Sequence, residues 1–179
     1  MAAITSAELD FRFSVVTGSA GNAVAGTAAG SLGNKVSSTA WANNATLFDD
    51  ITGAENAAST VDYRCIFLYN SNSANAYQNA VQYISAEVAG GASIAIGTDG
   101  TAASALASAS AQAVTIANET TAPAGVTFSS PTTAGAGVSL GSIPNGQVKG
   151  MWARRTAANT AALSGDGFTW SVSGDTGSL

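Results

Sequence analysis

Apolar and polar residues alternate strictly near the start of the chain. Leu9, Phe11, Phe13 and Val15 fall on one face of an extended segment, and Asp10, Arg12 and Ser14 on the other. This is the pattern of a half-buried strand. The densest apolar run is Tyr63-Arg64-Cys65-Ile66-Phe67-Leu68-Tyr69-Asn70, which stops in the polar cluster Asn70-Ser71-Asn72-Ser73. Its β-branched, aromatic and long side chains suit a pleated, buried surface, so it predicts a central strand. Residues 77–84 alternate again, with Tyr77, Asn79, Val81 and Tyr83 on one face. A hairpin between these two strands is the natural pairing. Further strands are predicted at 93–97, 114–117, 147–155 and 168–172, the last with Phe168, Trp170 and Val172 on one face.

Turn chemistry separates these segments. Thr98-Asp99-Gly100 and Ile143-Pro144-Asn145-Gly146 carry residues that turn geometry favours, and Thr121-Ala122-Pro123-Ala124-Gly125 leads into Val126-Thr127-Phe128. A Gly-Ala-Glu-Asn turn follows Leu47-Phe48-Asp49-Asp50-Ile51. Residues 101–112 are rich in Ala, a good helix former, yet hold only Leu106 as a large apolar residue, which favours a surface loop over a short helix. Residues 17–45 carry Gly at 18, 21, 26, 30 and 33 and few side chains able to fill a core. They are expected to form an extended arm or long loop, with room for one short strand near 35–37. Such a segment is uncommon in a compact domain and often orders against a partner. With no sustained helical period, the whole chain, 1–179, reads as one all-β domain. The expected architecture is an antiparallel β-sandwich, immunoglobulin-like or jelly-roll, carrying the arm at 17–45.

Composition narrows the setting. Charged residues are 9% of the chain, against roughly 25% in an average soluble domain. Mean hydropathy is only +0.20 because small polar residues replace the charges. A surface of this kind suits a protein covered by neighbours in an assembly, and secreted β-rich adhesins share it. Net charge is −5, and the six basic residues (Arg12, Lys35, Arg64, Lys149, Arg154 and Arg155) form no clustered stripe. Phosphate neutralisation needs such a stripe, so direct nucleic-acid binding is not expected. Cys65 is the single cysteine and histidine is absent, which rules out an intrachain disulfide and a standard zinc site. Inside a strand Cys65 acts as a small hydrophobe. No window reaches the ~18 apolar residues of a membrane-spanning helix. The first residues lack a basic region followed by an apolar core. The expectation is a protein made and kept in a cytoplasm, or released by lysis or a non-standard route.

Few constellations carry chemistry. Without histidine there is no histidine-based triad or general base. The acids Asp49, Asp50, Glu55 and Asp62 allow a calcium site or a solvated, capping loop; their spacing matches no calcium-loop pattern. Paired carboxylates for glycoside hydrolysis lack an accompanying series of groove-lining tryptophans. No catalytic residue, cofactor or metal is expected, and the chain does not read as an enzyme. Arg154 and Arg155 are adjacent in a strand and point to opposite faces: Gly150, Trp152 and Arg154 on one, Met151, Ala153 and Arg155 on the other. Either the strand is ending and both guanidiniums reach water, or one of them pairs with Asp49, Asp50, Asp62 or a neighbouring subunit. Arg64 poses the same question. Trp41 either tacks the arm to its own domain or anchors in a partner's pocket.

Five segments taken together carry a resemblance. They are Ser31-Leu32-Gly33-Asn34-Lys35-Val36-Ser37, Leu47-Phe48-Asp49-Asp50-Ile51, Tyr63-Arg64-Cys65-Ile66-Phe67, Ala122-Pro123-Ala124-Gly125-Val126-Thr127-Phe128 and Trp152-Ala153-Arg154-Arg155-Thr156. In this order the chain resembles small virion structural proteins of tailed bacteriophages. The resemblance implies a capsid cement or decoration protein assembled in the host bacterial cytoplasm. Its partner would be the major capsid protein, often bound as a homotrimer, with Trp41, Phe48, Arg154 and Arg155 as contact residues. A tail, neck or baseplate accessory protein is the alternative. A host-glycan adhesion module, with Tyr69, Tyr77 and Trp170 as aromatic platforms, is a further one.

Overall fold

The structure, a computed structural model, describes residues 3–42, 45–161 and 163–178. Its strands are β1 (Leu9–Val15), β2 (Gly33–Ala40), β3 (Val61–Asn70), β4 (Asn75–Glu87), β5 (Ser93–Thr98), β6 (Ser104–Ala105), β7 (Ala113–Thr115), β8 (Val138–Ile143), β9 (Gln147–Thr156) and β10 (Phe168–Ser178). One short helix, α1 (Gly53–Ala58), precedes β3. The strands form a large sheet in the order β5-β9-β3-β1-β2-β7, with β6 also on β9, and a small sheet in the order β10-β4-β8. Every pairing is antiparallel. The two sheets pack face to face as an all-β sandwich, the architecture that the alternation predicts.

β3 lies between β9 and β1 and is covered on both faces. On one face Ile66 and Leu68, with Met151 and Ala153 of β9, meet Ala80, Ile84, Leu140, Ile143 and Trp170 of the small sheet. On the other face Cys65 and Phe67 meet Val36, Ala113, Val148 and Trp152, and loop residues Leu32, Leu106, Val126 and Phe128 close this second core. A strand buried on both sides has no polar face to show, which is why residues 64–69 contain so little alternation. Ile66, Phe67 and Leu68 are fully buried, and each such side chain contributes roughly 1.5–3 kcal/mol.

The hairpin expected between residues 63–70 and 77–84 does not form. β3 and β4 belong to different sheets, and the chain crosses between them through an asparagine corner. Asn70 Nδ2 donates to the carbonyls of Asn75 and Ile143 at 2.9 and 3.0 Å, and its Oδ1 accepts the Asn72 amide at 3.1 Å. Asn72 Oδ1 accepts the amides of Ala74 and Asn75 at 2.9 and 2.7 Å. Side-chain amides thus satisfy the backbone groups that a hairpin turn would have paired.

The segment expected as an arm is largely part of the domain. Its residues 33–40 are β2, bonded to β1 on one side and β7 on the other, and Val36 and Ser37 are fully buried. Gln112, also buried, accepts the Val36 amide at 3.0 Å and donates to Ser104 Oγ and the Ala105 carbonyl. Gly33 has φ +93°, and a Cβ there would lie 1.8 Å from the Val114 carbonyl oxygen, so no larger residue fits. Residues 17–32 pack beside β2, with a backbone bond from Gly21 to Ser108 and, along the edge of β2, bonds from Asn22 to Val36 and from Ser38 to Val24. Small side chains let this segment lie close to the strand.

Two smaller elements also differ. The turn expected after Ile51 is helix α1, opened by a capping box: Thr52 Oγ1 accepts the Glu55 amide at 3.3 Å, and Glu55 Oε2 accepts the Thr52 amide at 2.7 Å. Val126-Thr127-Phe128 is not a strand; only Ser129 after it pairs, with Ile96. Among the described residues no helix is long and apolar enough to cross a membrane.

Candidate functional site

Where β3 begins and β9 ends, strand register sets Asp62 directly opposite Arg155. Arg155 donates from Nε and Nη2 to Asp62 Oδ2 at 3.2 and 2.7 Å, and from Nη2 to Asp49 Oδ1 at 3.2 Å. Its Nη1 donates to the Asp49 carbonyl. The Arg155 and Asp62 side chains are 7% and 4% exposed, while Asp49 is 63% exposed. Arg64, on the same face of β3, donates to the Glu119 carboxylate. Phe48 lies between the two cations, its ring centroid 4.8 Å from the Arg155 guanidinium carbon and 5.8 Å from that of Arg64. The strap that carries Phe48, residues 46–49, borders a cleft on each side. One, of about 460 Å³, is lined by Leu32, Arg64 and Glu119; the other, of about 790 Å³, by Trp41, Asp50, Arg155 and Asp166.

The two arginines hold the strap over the end of the sandwich and neutralise the carboxylates beside it. Of the four acids considered for calcium, Asp49 and Asp62 converge on Arg155, and Glu55 serves the α1 cap. Its bond from the Thr52 amide holds the Glu55 carboxyl below the usual range. Among the described residues no three His, Cys, Asp or Glu side chains gather as a metal site.

The four residues expected to contact a partner all take part in the chain's own packing. Phe48 and Arg155 are buried. Arg154 faces the second core, its guanidinium 5.4 Å from the Phe128 ring centroid, and stays half-buried. Trp41 packs edge-on against Phe11 and Trp170, with ring centroids 6.1 and 6.2 Å away, and donates from Nε1 to the Ala45 carbonyl. It too is half-buried. Of the three aromatic platforms considered for glycans, Tyr77 and Trp170 are buried, and Tyr69 lies under Arg12.

The sequence reading missed a second polar centre. Asp99, 2% exposed, accepts Trp152 Nε1 at 2.9 Å and the amides of Thr101 and Val114 at 2.9 Å each. Burial pushes its carboxyl up, but these donors outweigh burial and hold it below its ordinary value. Lys149 Nζ caps the same turn by donating to the carbonyls of Asp99 and Thr101 at 2.8 and 2.5 Å. Desolvation lowers the Lys149 pKa, and the Asp99 charge partly offsets this. Asp99 reads as an ordinary turn residue in sequence; nothing local marks Trp152, 53 positions later, as its partner.

All six cations share one property. Arg12, Lys35, Arg64, Lys149, Arg154 and Arg155 all stand in β1, β2, β3 or β9 of the large sheet, and none is exposed. Arg12 donates to Asn22 at 2.9 Å over the Tyr69 ring, and Lys35 donates to the Ala109 carbonyl at 2.6 Å. Among the described residues the exposed side chains are mostly small and neutral, with scattered carboxylates and the apolar Val16, Val88 and Leu163.

Comparison with protein-family models, curated proteins and solved structures finds no match to the chain.

Proposed function

We propose that the chain is a structural protein of a tailed-bacteriophage virion, a capsid cement protein that binds the assembled lattice of the major capsid protein and not its free subunits. The observation that carries this reading is the surface. With every cation held in the sheet, a neighbour that covers the small neutral side chains outside has no exposed Lys or Arg to desolvate, and has to accommodate only scattered carboxylates such as Asp50 and Asp166. The segments behind the sequence resemblance support it in a particular way. Residues 47–51, 63–67 and 152–156 meet at Phe48, whose ring lies beside both Arg64 and Arg155, and residues 122–128 cover the second core beside them. What the resemblance captures is therefore scaffold, and contact with a lattice falls to the exposed loops around it. Binding only the assembled shell stabilises that shell by mass action, without any chemical step.

Heads stripped of the protein and then mixed with it are the test. It should co-sediment with them to saturation at a fixed ratio to the capsid subunit and raise the temperature at which shells open. Equal binding to free subunits would overturn the reading. So would a virion content of only a handful of copies, which assigns the chain to the tail, neck or baseplate.

A further inference from the structure

The sheets have several edges, and all but one are guarded. Along β5, Ile96 exchanges backbone bonds with Ser129 at 2.8 and 3.0 Å, and Ser130 Oγ donates to the Ile94 carbonyl. β7 has three residues and β6 two. β8 is bent at Gly141, φ +76°, and its Ser139 carbonyl accepts Thr98 Oγ1. β10 is different: it is 11 residues long and bonds to β4 along one side. Among the described residues no backbone–backbone hydrogen bond reaches its other side; near its C-terminal end the Ile4 amide donates to Thr176 Oγ1 at 2.8 Å. It contains no Lys, Arg or Pro, and its one charge is Asp175. Natural sheets protect a long free edge with those residues, with bulges or with a cover. Its register with β4 shifts near Thr169 and Ser173, but the extra residue lies in β4 each time, and Trp170–Ser173 runs as a regular ladder.

A second observation falls on the same side of the sandwich. Ile4, Phe11, Trp41, Phe168 and Val172 pack against the main core and all remain partly exposed. They form an apolar seam where β10 faces β1 and the end of β2. The free edge and the seam together make one surface with hydrogen-bonding capacity and apolar area side by side.

We propose that this surface joins two copies of the chain across a two-fold axis, with β10 pairing antiparallel to its counterpart around Val172. The small sheets then merge into one six-stranded sheet, β8-β4-β10-β10-β4-β8. The edge is complementary to itself. In this register Ser171 faces Ser173 across the axis, and Asp175 faces Thr169, so no like charges meet. Trp41 and Phe168 become covered from both sides. The inference goes beyond the capsid reading and does not depend on it.

Sedimentation equilibrium of the full chain, from low micromolar upward, should show a reversible dimer of the 17.5 kDa chain. Amide exchange along β10 should slow as concentration rises. Ser171 and Ser173 point away from the core, as the 2.7 Å contact between the Ser171 and Ser85 hydroxyls shows for Ser171, so charged residues there leave the fold intact. Ser173→Lys together with Ser171→Lys should weaken the dimer roughly tenfold or more by setting ammonium groups against one another. Ser173→Lys with Ser171→Glu should restore it, because each Lys then meets a Glu of the other copy. A monomer or a trimer at every concentration overturns the proposal. So does equal association of the Lys-Lys and Glu-Lys variants when both keep the native circular dichroism spectrum.

Discussion

Asp62 and Arg155 show what a buried ion pair does in this sheet. Each side chain is almost wholly enclosed, and Asp62 Oδ1 has no hydrogen-bond partner. The pair therefore costs much of what it gains, but each half needs the other. Asp62→Asn should lose about 3–5 kcal/mol in urea unfolding, because it strands the Arg155 charge. Replacing both residues with apolar ones, Asp62→Leu with Arg155→Met, should recover most of that loss. If the double variant is no better than the single one, the charges themselves stabilise the fold. Asp49, well exposed on the strap, should matter far less, as exposed partners generally do. The adjacency of Arg154 and Arg155 already showed that one of them had to face an apolar side. What it could not show was the register that sets Asp62 opposite Arg155.

At the scale of elements, legibility followed side-chain size. β1, β3, β9 and β10 were readable because Phe, Trp, Leu and Ile mark their buried faces. β2 was legible only as a short strand near 35–37, because Gly33-Asn34-Lys35-Val36-Ser37-Ser38-Thr39-Ala40 is buried through small residues and through Gln112, which lies far away in sequence. The partner of β4 was hidden for another reason: Asn70 and Asn72 redirect the chain with side-chain bonds that resemble any polar turn. The Thr52–Glu55 capping box, by contrast, stood in plain view and marks α1. Two glycine substitutions check this account. Gly33→Ala should cost about 1–3 kcal/mol from its positive φ alone, and more from the collision with Val114. It should also release the amides of β7 to exchange. Gly53→Ala, where a Cβ meets nothing within 4 Å, should stabilise by about 0.5 kcal/mol through helix propensity. Equal effects at the two sites would refute the packing role given to Gly33.

For the molecule as a whole, the inward placement of the cations reaches beyond electrostatics. A protease that cuts after lysine or arginine finds its six sites only in β1, β2, β3 and β9, and the long Gly- and Ala-rich loops offer it none. Native chain should therefore resist trypsin for as long as the large sheet holds, while a protease with broad specificity nicks the loops. Each tryptic cut would report opening of the sheet, so the digestion rate should track urea stability across the variants above. Rapid tryptic cleavage at Arg12 or Lys35 in the native protein would mean that the β1–β2 side opens on its own. By the same geometry both lysines are shielded, and amine-reactive labels should leave Lys35 and Lys149 unmodified until the chain unfolds.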